Sequence, residues 1–419
     1  MLVALLLRLG AVAATQGFVP GTDAADYDRQ AVSVAAGHGY PPTAIAGGGG
    51  ASAFRPPGYT YALAGVYAVV GTDSESTRWT AGRAMGAVAG AATVGLIGLL
   101  ALALWGAAPA VVAAGLAAVY PPFLLMESSL TSEVLFLALV LASLLAIVHH
   151  RHSRRLRWAI AAGALAGLAA LTRSNGVLLL IPIVLAAWTA GQTRSRCAVA
   201  AVAALAAAIV LVAPWATRNA LELNAFVPIS TQAGYGLAGA YNDAAREDPV
   251  HPTAWRPPAT DPSYRAIIED PGLGEAQVDR RLRAEARDFI LDHPGYVAKT
   301  AFDNSLRLLV LQDPELERTG ASDLGMNPTL AEASSYSFYA VALLALAGLT
   351  APAARRTPLF VWLTPALLLL STVFIAAWTR YRIPADPFIV LLAALGVLQL
   401  AAAVKRRRAR GPATPRTTP

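Results

Sequence analysis

Long apolar runs separated by short polar breaks dominate this chain. Windows that meet or approach the ~20 mostly apolar residues needed to cross ~30 Å of hydrocarbon lie near residues 2–18, 80–104, 108–125, 131–148, 158–172, 175–190, 197–216, 336–352, 358–377 and 385–404. They predict an all-α polytopic membrane protein with about ten transmembrane helices. A further apolar stretch, 58–71, is shorter and follows Pro56 and Pro57. It reads as a re-entrant or interfacial helix within the first outer loop.

Charge orders these segments across the bilayer, because short cytoplasmic loops collect Lys and Arg. With ten spans and an inside N-terminus, segments 149–157, 191–197, 353–357 and the tail from 405 lie inside; together they hold 14 Lys and Arg and no Asp or Glu. An eleventh span at 58–71 would put all four outside. The expected organisation is an N-terminal membrane domain, 1–216, with a first outer loop at 19–79. An outer segment, 217–335, C-terminal membrane helices, 336–404, and a basic cytoplasmic tail, 405–419, follow. The stretch from 216 to 335 carries 18 of the 26 acids. Turn-rich at first, it then holds a charged helical run, 275–291, broken by His293-Pro294-Gly295 and followed by a second helix to about Leu311. It is expected to be mainly helical and, with few aliphatic residues, to lean on the membrane part. Ala11-Val12-Ala13 resembles a signal-peptide cleavage site, but Arg8 interrupts the apolar core and nothing basic precedes it, which favours a first span.

Composition agrees: 56% of the 419 residues are hydrophobic and 14% charged, with a mean hydropathy of +0.50. The net charge of +7 would suit nucleic acid, but six of the seven excess charges sit in the tail from Lys405. The basic balance therefore reads as membrane orientation, with no nucleic-acid partner. The single cysteine, Cys197, excludes an intrachain disulfide and a multi-cysteine metal site. Lysine only at 299 and 405 beside abundant Arg and Ala points to a GC-rich bacterial genome, hence to a bacterial inner membrane.

Candidate chemistry concentrates at the outer boundary. The first outer loop contains Asp23-Ala24-Ala25-Asp26-Tyr27-Asp28 and then Phe54-Arg55-Pro56-Pro57-Gly58-Tyr59. Acids beside a span and an arginine next to two prolines can supply a base and an anion-binding group; the competing reading is a solvated loop. Trp378-Thr379-Arg380-Tyr381-Arg382 falls where positive-inside statistics disfavour arginine, so it suits an anionic headgroup or phosphate. Its rival is interfacial snorkelling. Arg173 sits at an outer turn, and Glu127 and Glu133 flank another; acids so near hydrocarbon usually have a partner or a task. His149, His150 and His152 lie in an Arg-rich turn that repels cations, so no metal site is expected there. Glycines 47–50 lack the lysine and helix of a phosphate loop; they read as a flexible linker, and no soluble nucleotide cofactor is expected.

In this order the motifs resemble those of the GT-C membrane glycosyltransferases, in the branch of protein O-mannosyltransferases, lipid A aminoarabinose transferases and related bacterial enzymes. The resemblance runs through Asp23-x-x-x-Tyr27, Arg55-Pro56-Pro57-Gly58-Tyr59, Arg83, Glu133, Leu171-Thr172-Arg173-x-Asn175-Gly176, Pro214-Trp215-x-x-Arg218-Asn219, Phe226-Val227-Pro228-Ile229-Ser230-Thr231, His293-Pro294 and Arg380-Tyr381-Arg382-x-Pro384. It implies transfer of a sugar from a polyprenyl-phosphate carrier, with inversion, to a glycan, lipid or protein acceptor at the outer face. By it, Asp23 is the base, with Asp26 beside it. Arg55, Arg380, Tyr381 and Arg382 would meet the donor phosphate, and Tyr27, Tyr59, Glu133 and Arg173 would support them. One departure matters: many relatives carry a second acid directly after the first, where this chain has Ala24. Either Asp26 stands in from one helical turn on, or the base is open among Asp23, Asp26 and Asp28. Two other classes compete, a lipid-linked sugar transporter or flippase and a GT-C-like scaffold that only binds the carrier. No paired repeat is evident and the charges gather at the outer boundary rather than the midplane, which favours the transferase.

Overall fold

A computed structural model describes residues 1–15, 17–43 and 50–409 of the chain, and all its regular elements there are helical. The glycines 47–49 and the end of the basic tail, 410–419, lie outside the described residues. The N-terminal part runs through α1 (Leu2–Ala14), α2 (Thr22–Ala35), α3 (Pro57–Val70), α4 (Glu75–Trp105) and α5 (Ala107–Val119). It continues with α6 (Pro121–Met126), α7 (Ser132–Ser153), α8 (Leu156–Thr172), α9 (Leu180–Trp188) and α10 (Arg194–Glu222). The outer segment holds α11 (Gln232–Ala240), α12 (Asp243–Arg246), α13 (Pro262–Ile268), α14 (Glu275–Asp292), α15 (Pro294–Leu308) and α16 (Leu316–Ser322). The chain then closes with α17 (Pro328–Leu349), α18 (Pro352–Arg356), α19 (Leu359–Val373), α20 (Thr379–Arg382) and α21 (Asp386–Ala409).

Five of these, α4, α7, α10, α17 and α21, are long and apolar enough to cross a membrane. Five shorter apolar helices, α1, α5, α8, α9 with the 3-10 turn before it, and α19, fall in the other five apolar windows. By contrast, α3 has 14 residues, about 21 Å at the helical rise, which is short of the hydrocarbon thickness. Pro57 starts it, and Gly71 ends it at φ +88°, a conformation that a side chain would strain. Gly106, at φ +91°, lets the chain leave α4 and enter α5 with a single connecting residue.

Small residues set the helix contacts. A Cβ at Gly163 of α8 would collide with the Ala204 carbonyl of α10, and one at Gly396 of α21 with the Leu344 carbonyl of α17. Such close backbone approach is how helices associate where lipid removes the hydrophobic drive. Arg8 of α1 forms an ion pair with Glu127, and both are buried. That contact gives Arg8 and Glu127 a structural task. The outer segment has a small core of Ala238, Tyr264, Ile268, Leu273, Val278 and Leu282. It is tied to the membrane helices where the Asn304 amide donates to the Val373 carbonyl at 2.9 Å.

Candidate active site

Between the first outer loop, the outer segment and the turn before α21 lies a cavity of about 600 Å³. Asp23 occupies its wall from the first turn of α2, where a carboxylate is favoured by the helix dipole. Arg55 arrives on the extended segment that leads into Pro56 and Pro57, held by the Tyr40 hydroxyl on its carbonyl at 2.8 Å. Its guanidinium lies over the Tyr27 ring, 5.1 Å from the centroid. Arg380 comes from α20, at the opposite end of the sequence. Arg55 Nη2 meets Asp23 Oδ1 at 2.6 Å, and Arg380 Nη1 meets Oδ2 at 2.7 Å. Both oxygens of the carboxylate thus carry a guanidinium. Burial alone would raise the Asp23 carboxyl, but Arg55 and Arg380 outweigh it and hold the group well below the usual range.

The facing wall carries a second ion pair. Glu133, in the first turn of α7, and Arg173, just past α8, meet at 2.6 Å, and Arg173 also donates to Ser132 Oγ at 3.2 Å. Tyr381 lies between the two sets, with Arg380 4.8 Å and Arg173 5.8 Å from its ring centroid. Arg173 and Arg380 both line the cavity, and the Nε of each is buried with no hydrogen-bond partner among the described residues. Aromatic rings continue the lining from Phe54 to Tyr235, Trp255, Trp378 and Tyr381, at successive centroid distances of 5.5, 5.9, 6.0 and 5.7 Å.

Of the expected residues, Asp23, Tyr27, Arg55, Glu133, Arg173, Arg380 and Tyr381 line this one cavity. Three do not. Asp26 is 2% exposed and turned behind Asp23, where it accepts from Arg55 Nε at 3.1 Å and from Arg29 at 2.9 Å. Tyr59 lies beneath the cavity and packs edge-on against Tyr27, with centroids 4.9 Å apart. Arg382 is a correction: it is 1% exposed and does not reach the cavity. It pairs with Asp386 at 2.9 Å, donates to the Leu308 carbonyl at 2.7 Å and covers the Phe338 ring. Residues two apart on one helical turn point to nearly opposite sides, so Arg380 and Arg382 cannot both face the donor. Asp28 likewise leaves the question of the base, since Arg78 and the Tyr67 hydroxyl take it up at 2.9 and 2.7 Å on the far side of α2.

Sequence reading missed Tyr235, Trp255 and Asp323, all from the outer segment and all in the cavity wall. Trp255 had a faint signal, as an aromatic beside Pro257 and Pro258 in a polar stretch. Asp323 had none. One group of His and acids, His251 with Asp313 and Glu315, lies outside the cavity wall, and Arg307 pairs with Asp313 at 2.7 Å.

Residues 54–217 match the family model of the dolichyl-phosphate-mannose-protein mannosyltransferases. No curated protein matches the chain significantly. Among solved structures, the chain is similar to the oligosaccharyltransferase AglB from Archaeoglobus fulgidus in complex with an inhibitory peptide and a dolichol-phosphate, at 14% identity and a TM-score of 0.56. That match covers 100% of this chain and 52% of the other. The apo form of the same enzyme gives a TM-score of 0.59 at 14% identity, over 97% and 51% of the two chains. ArnT from Cupriavidus metallidurans bound to undecaprenyl phosphate matches at 16% identity and a TM-score of 0.45, over 94% and 76%. The chain spans about half the length of the archaeal enzyme. It therefore has the GT-C fold, and residues 54–217 match the dolichyl-phosphate-mannose-protein mannosyltransferase family model.

Proposed function

We propose that this chain is an inverting glycosyltransferase that moves a sugar from a polyprenyl-phosphate carrier to an acceptor hydroxyl at the outer face of the membrane. The observation that carries the reading is the clustering of Asp23, Arg55 and Arg380 around one cavity, from three distant parts of the sequence. In a single displacement the acceptor oxygen attacks the anomeric carbon opposite the phosphate, and the bond to the phosphate oxygen breaks as the new one forms. Charge then grows on the departing phosphate, where fixed guanidinium groups stabilise it most. Arg380 and Arg55 are set for that role, with Arg173 close by and Tyr381 between. The family match and the lipid carriers named for the similar enzymes support a lipid-phosphate donor. The outer-face assignment rests on the basic residues gathered in the opposite loops.

The test is sugar transfer by native membranes that contain the chain, supplied with radiolabelled polyprenyl-phosphate sugars. The wild type is expected to incorporate label, and Asp23→Asn, which releases both arginines, to lose most of it. Wild-type turnover in a correctly folded Asp23→Asn variant would sink the role of the cluster. Movement of labelled carrier across proteoliposomes without bond transfer would replace the enzyme with a transporter.

A further inference from the structure

The aromatic rings of the cavity form an arc that begins and ends at the Asp23 cluster. At one end the Arg55 guanidinium lies 5.4 Å from the Phe54 ring centroid, and at the other Arg380 lies 4.8 Å from that of Tyr381. Between these ends stand Tyr235 and Trp255, both from the outer segment, and then Trp378. Phe54 is buried, whereas the other four are half-buried and leave surface to the cavity.

Tyr235 and Trp255 are the rings farthest along the arc from both arginines, and the wall around them is of a different kind. The lining residues between 228 and 257 carry no charge, while the charged side chains collect around Asp23 and Tyr381. Gln232 stands one turn before Tyr235 on the same face of α11. Both line the cavity, and among the described residues neither the Gln232 amide nor the Tyr235 hydroxyl makes a hydrogen bond. The Trp255 indole is set in advance. Its Nε1 donates to the Gly236 carbonyl at 3.0 Å, and the Arg256 N–H donates to the Gly239 carbonyl at 2.9 Å. Gly239 itself leaves no room for a Cβ against the indole. Asp279 fixes the start of α11 through the Gly234 N–H at 2.7 Å. Surface held in this way loses little freedom when a ligand arrives.

We propose that Tyr235, Trp255 and Gln232 form a subsite for an uncharged saccharide ring, and that the acceptor hydroxyl belongs to a glycan. The inference rests on the glycosyltransferase reading above and names its acceptor. A sugar ring carries C–H groups on its faces and hydroxyls at its rim, so it is met by aromatic surface together with neutral donors and acceptors. Those two kinds of group come together at this part of the wall. Position assigns the ring to the acceptor. Inversion puts the attacking oxygen on the side of the anomeric carbon opposite the phosphate, and the phosphate belongs with Arg55 and Arg380 at the ends of the arc. In the step, the saccharide oxygen bonds to the anomeric carbon and its proton passes to the Asp23 carboxylate. The bond from that carbon to the phosphate oxygen breaks, and its electron pair leaves on the carrier phosphate.

The experiment uses the full chain in lipid nanodiscs with radiolabelled polyprenyl-phosphate hexoses and pentoses. Two acceptor fractions from the cell envelope are supplied, a protease-digested saccharide fraction and a deglycosylated protein fraction. The wild type is expected to label the saccharide fraction. Trp255→Ala should raise the KM for that fraction by about 10–100-fold and keep the donor KM within about threefold of wild type. Trp255→Phe should recover part of the loss, and Gln232→Ala, which removes only the amide, should raise the saccharide KM by about 3–10-fold. If Trp255→Ala is not recovered folded, Trp255→Phe and Gln232→Ala decide on the same readout. Label in the protein fraction alone overturns the proposal and leaves the transferase reading standing. A saccharide KM within about twofold of wild type in all three variants does the same, as does an equal rise in donor KM, which would make the residues structural. No transfer by the wild type from any carrier to either fraction overturns both.

Discussion

Arg380 and Arg382 show how far apart the tasks of two neighbouring residues can be. Both are cations beside the same tyrosine, yet Arg380 shares Asp23 in the cavity and Arg382 is sealed against Asp386, Leu308 and Phe338. Removing one partner of a buried ion pair leaves an uncompensated charge, which costs about 3–5 kcal/mol. Arg382→Ala is therefore expected to lower the thermal unfolding midpoint in detergent strongly, or to prevent recovery of folded protein. Arg380→Ala should leave that midpoint near wild type and raise the donor KM by about 10–100-fold, the value of a hydrogen bond to a charged group. Equal loss of stability in the two variants would contradict the division. Sequence analysis assigned both arginines to one boundary segment, and it could not separate them. The side of a one-turn helix that faces a cavity depends on what packs behind it.

At the scale of elements, α14 does more than its charged composition suggests. Two of its acids turn inward one helical turn apart. Glu275 Oε1 accepts from the Ala53 N–H at 2.8 Å and the Thr231 hydroxyl at 2.6 Å, and Asp279 accepts from the Gly234 N–H at 2.7 Å. Arg218 adds a bond to the Ser52 carbonyl at 2.7 Å. Together they fix the extended segment that presents Phe54 and Arg55. Glu275→Ala strands the Ala53 N–H and the Thr231 hydroxyl, with an expected loss of about 1–3 kcal/mol and a raised donor KM. Glu275→Gln keeps an acceptor oxygen and should restore most of both. An unchanged donor KM in a stable Glu275→Ala variant would remove α14 from the account of the site. Within the membrane, Gly396→Val is expected to part α21 from the Leu344 turn of α17. The readout is loss of a monodisperse peak in detergent, because small residues at a close crossing have no slack.

At the scale of the whole molecule, the ten apolar segments and their loop charges set an orientation that labelling can check. Glu269 and Arg155 are both exposed, one in the outer segment and one between α7 and α8. In a Cys197→Ser background, an impermeant maleimide on intact cells should label the Glu269→Cys variant and spare Arg155→Cys; the reverse pattern inverts the topology. Sequence by itself determined the all-helical architecture and the apolar windows, and it grouped the candidate chemistry in the segments between them. These follow from hydropathy, helix length and loop charge, which are local properties that a bilayer reads segment by segment. It also singled out Asp23, Arg55 and Arg380 through their motifs. Only the tertiary structure decided that Asp26 and Arg382 turn away from the cavity, that Glu133 and Arg173 face the cluster across it, and that Asp323 belongs to it. Each of those outcomes depends on contacts between residues far apart in sequence, such as Gly21 with Asp323 and Ala53 with Glu275. No local pattern encodes which side of a short helix such a contact will bury.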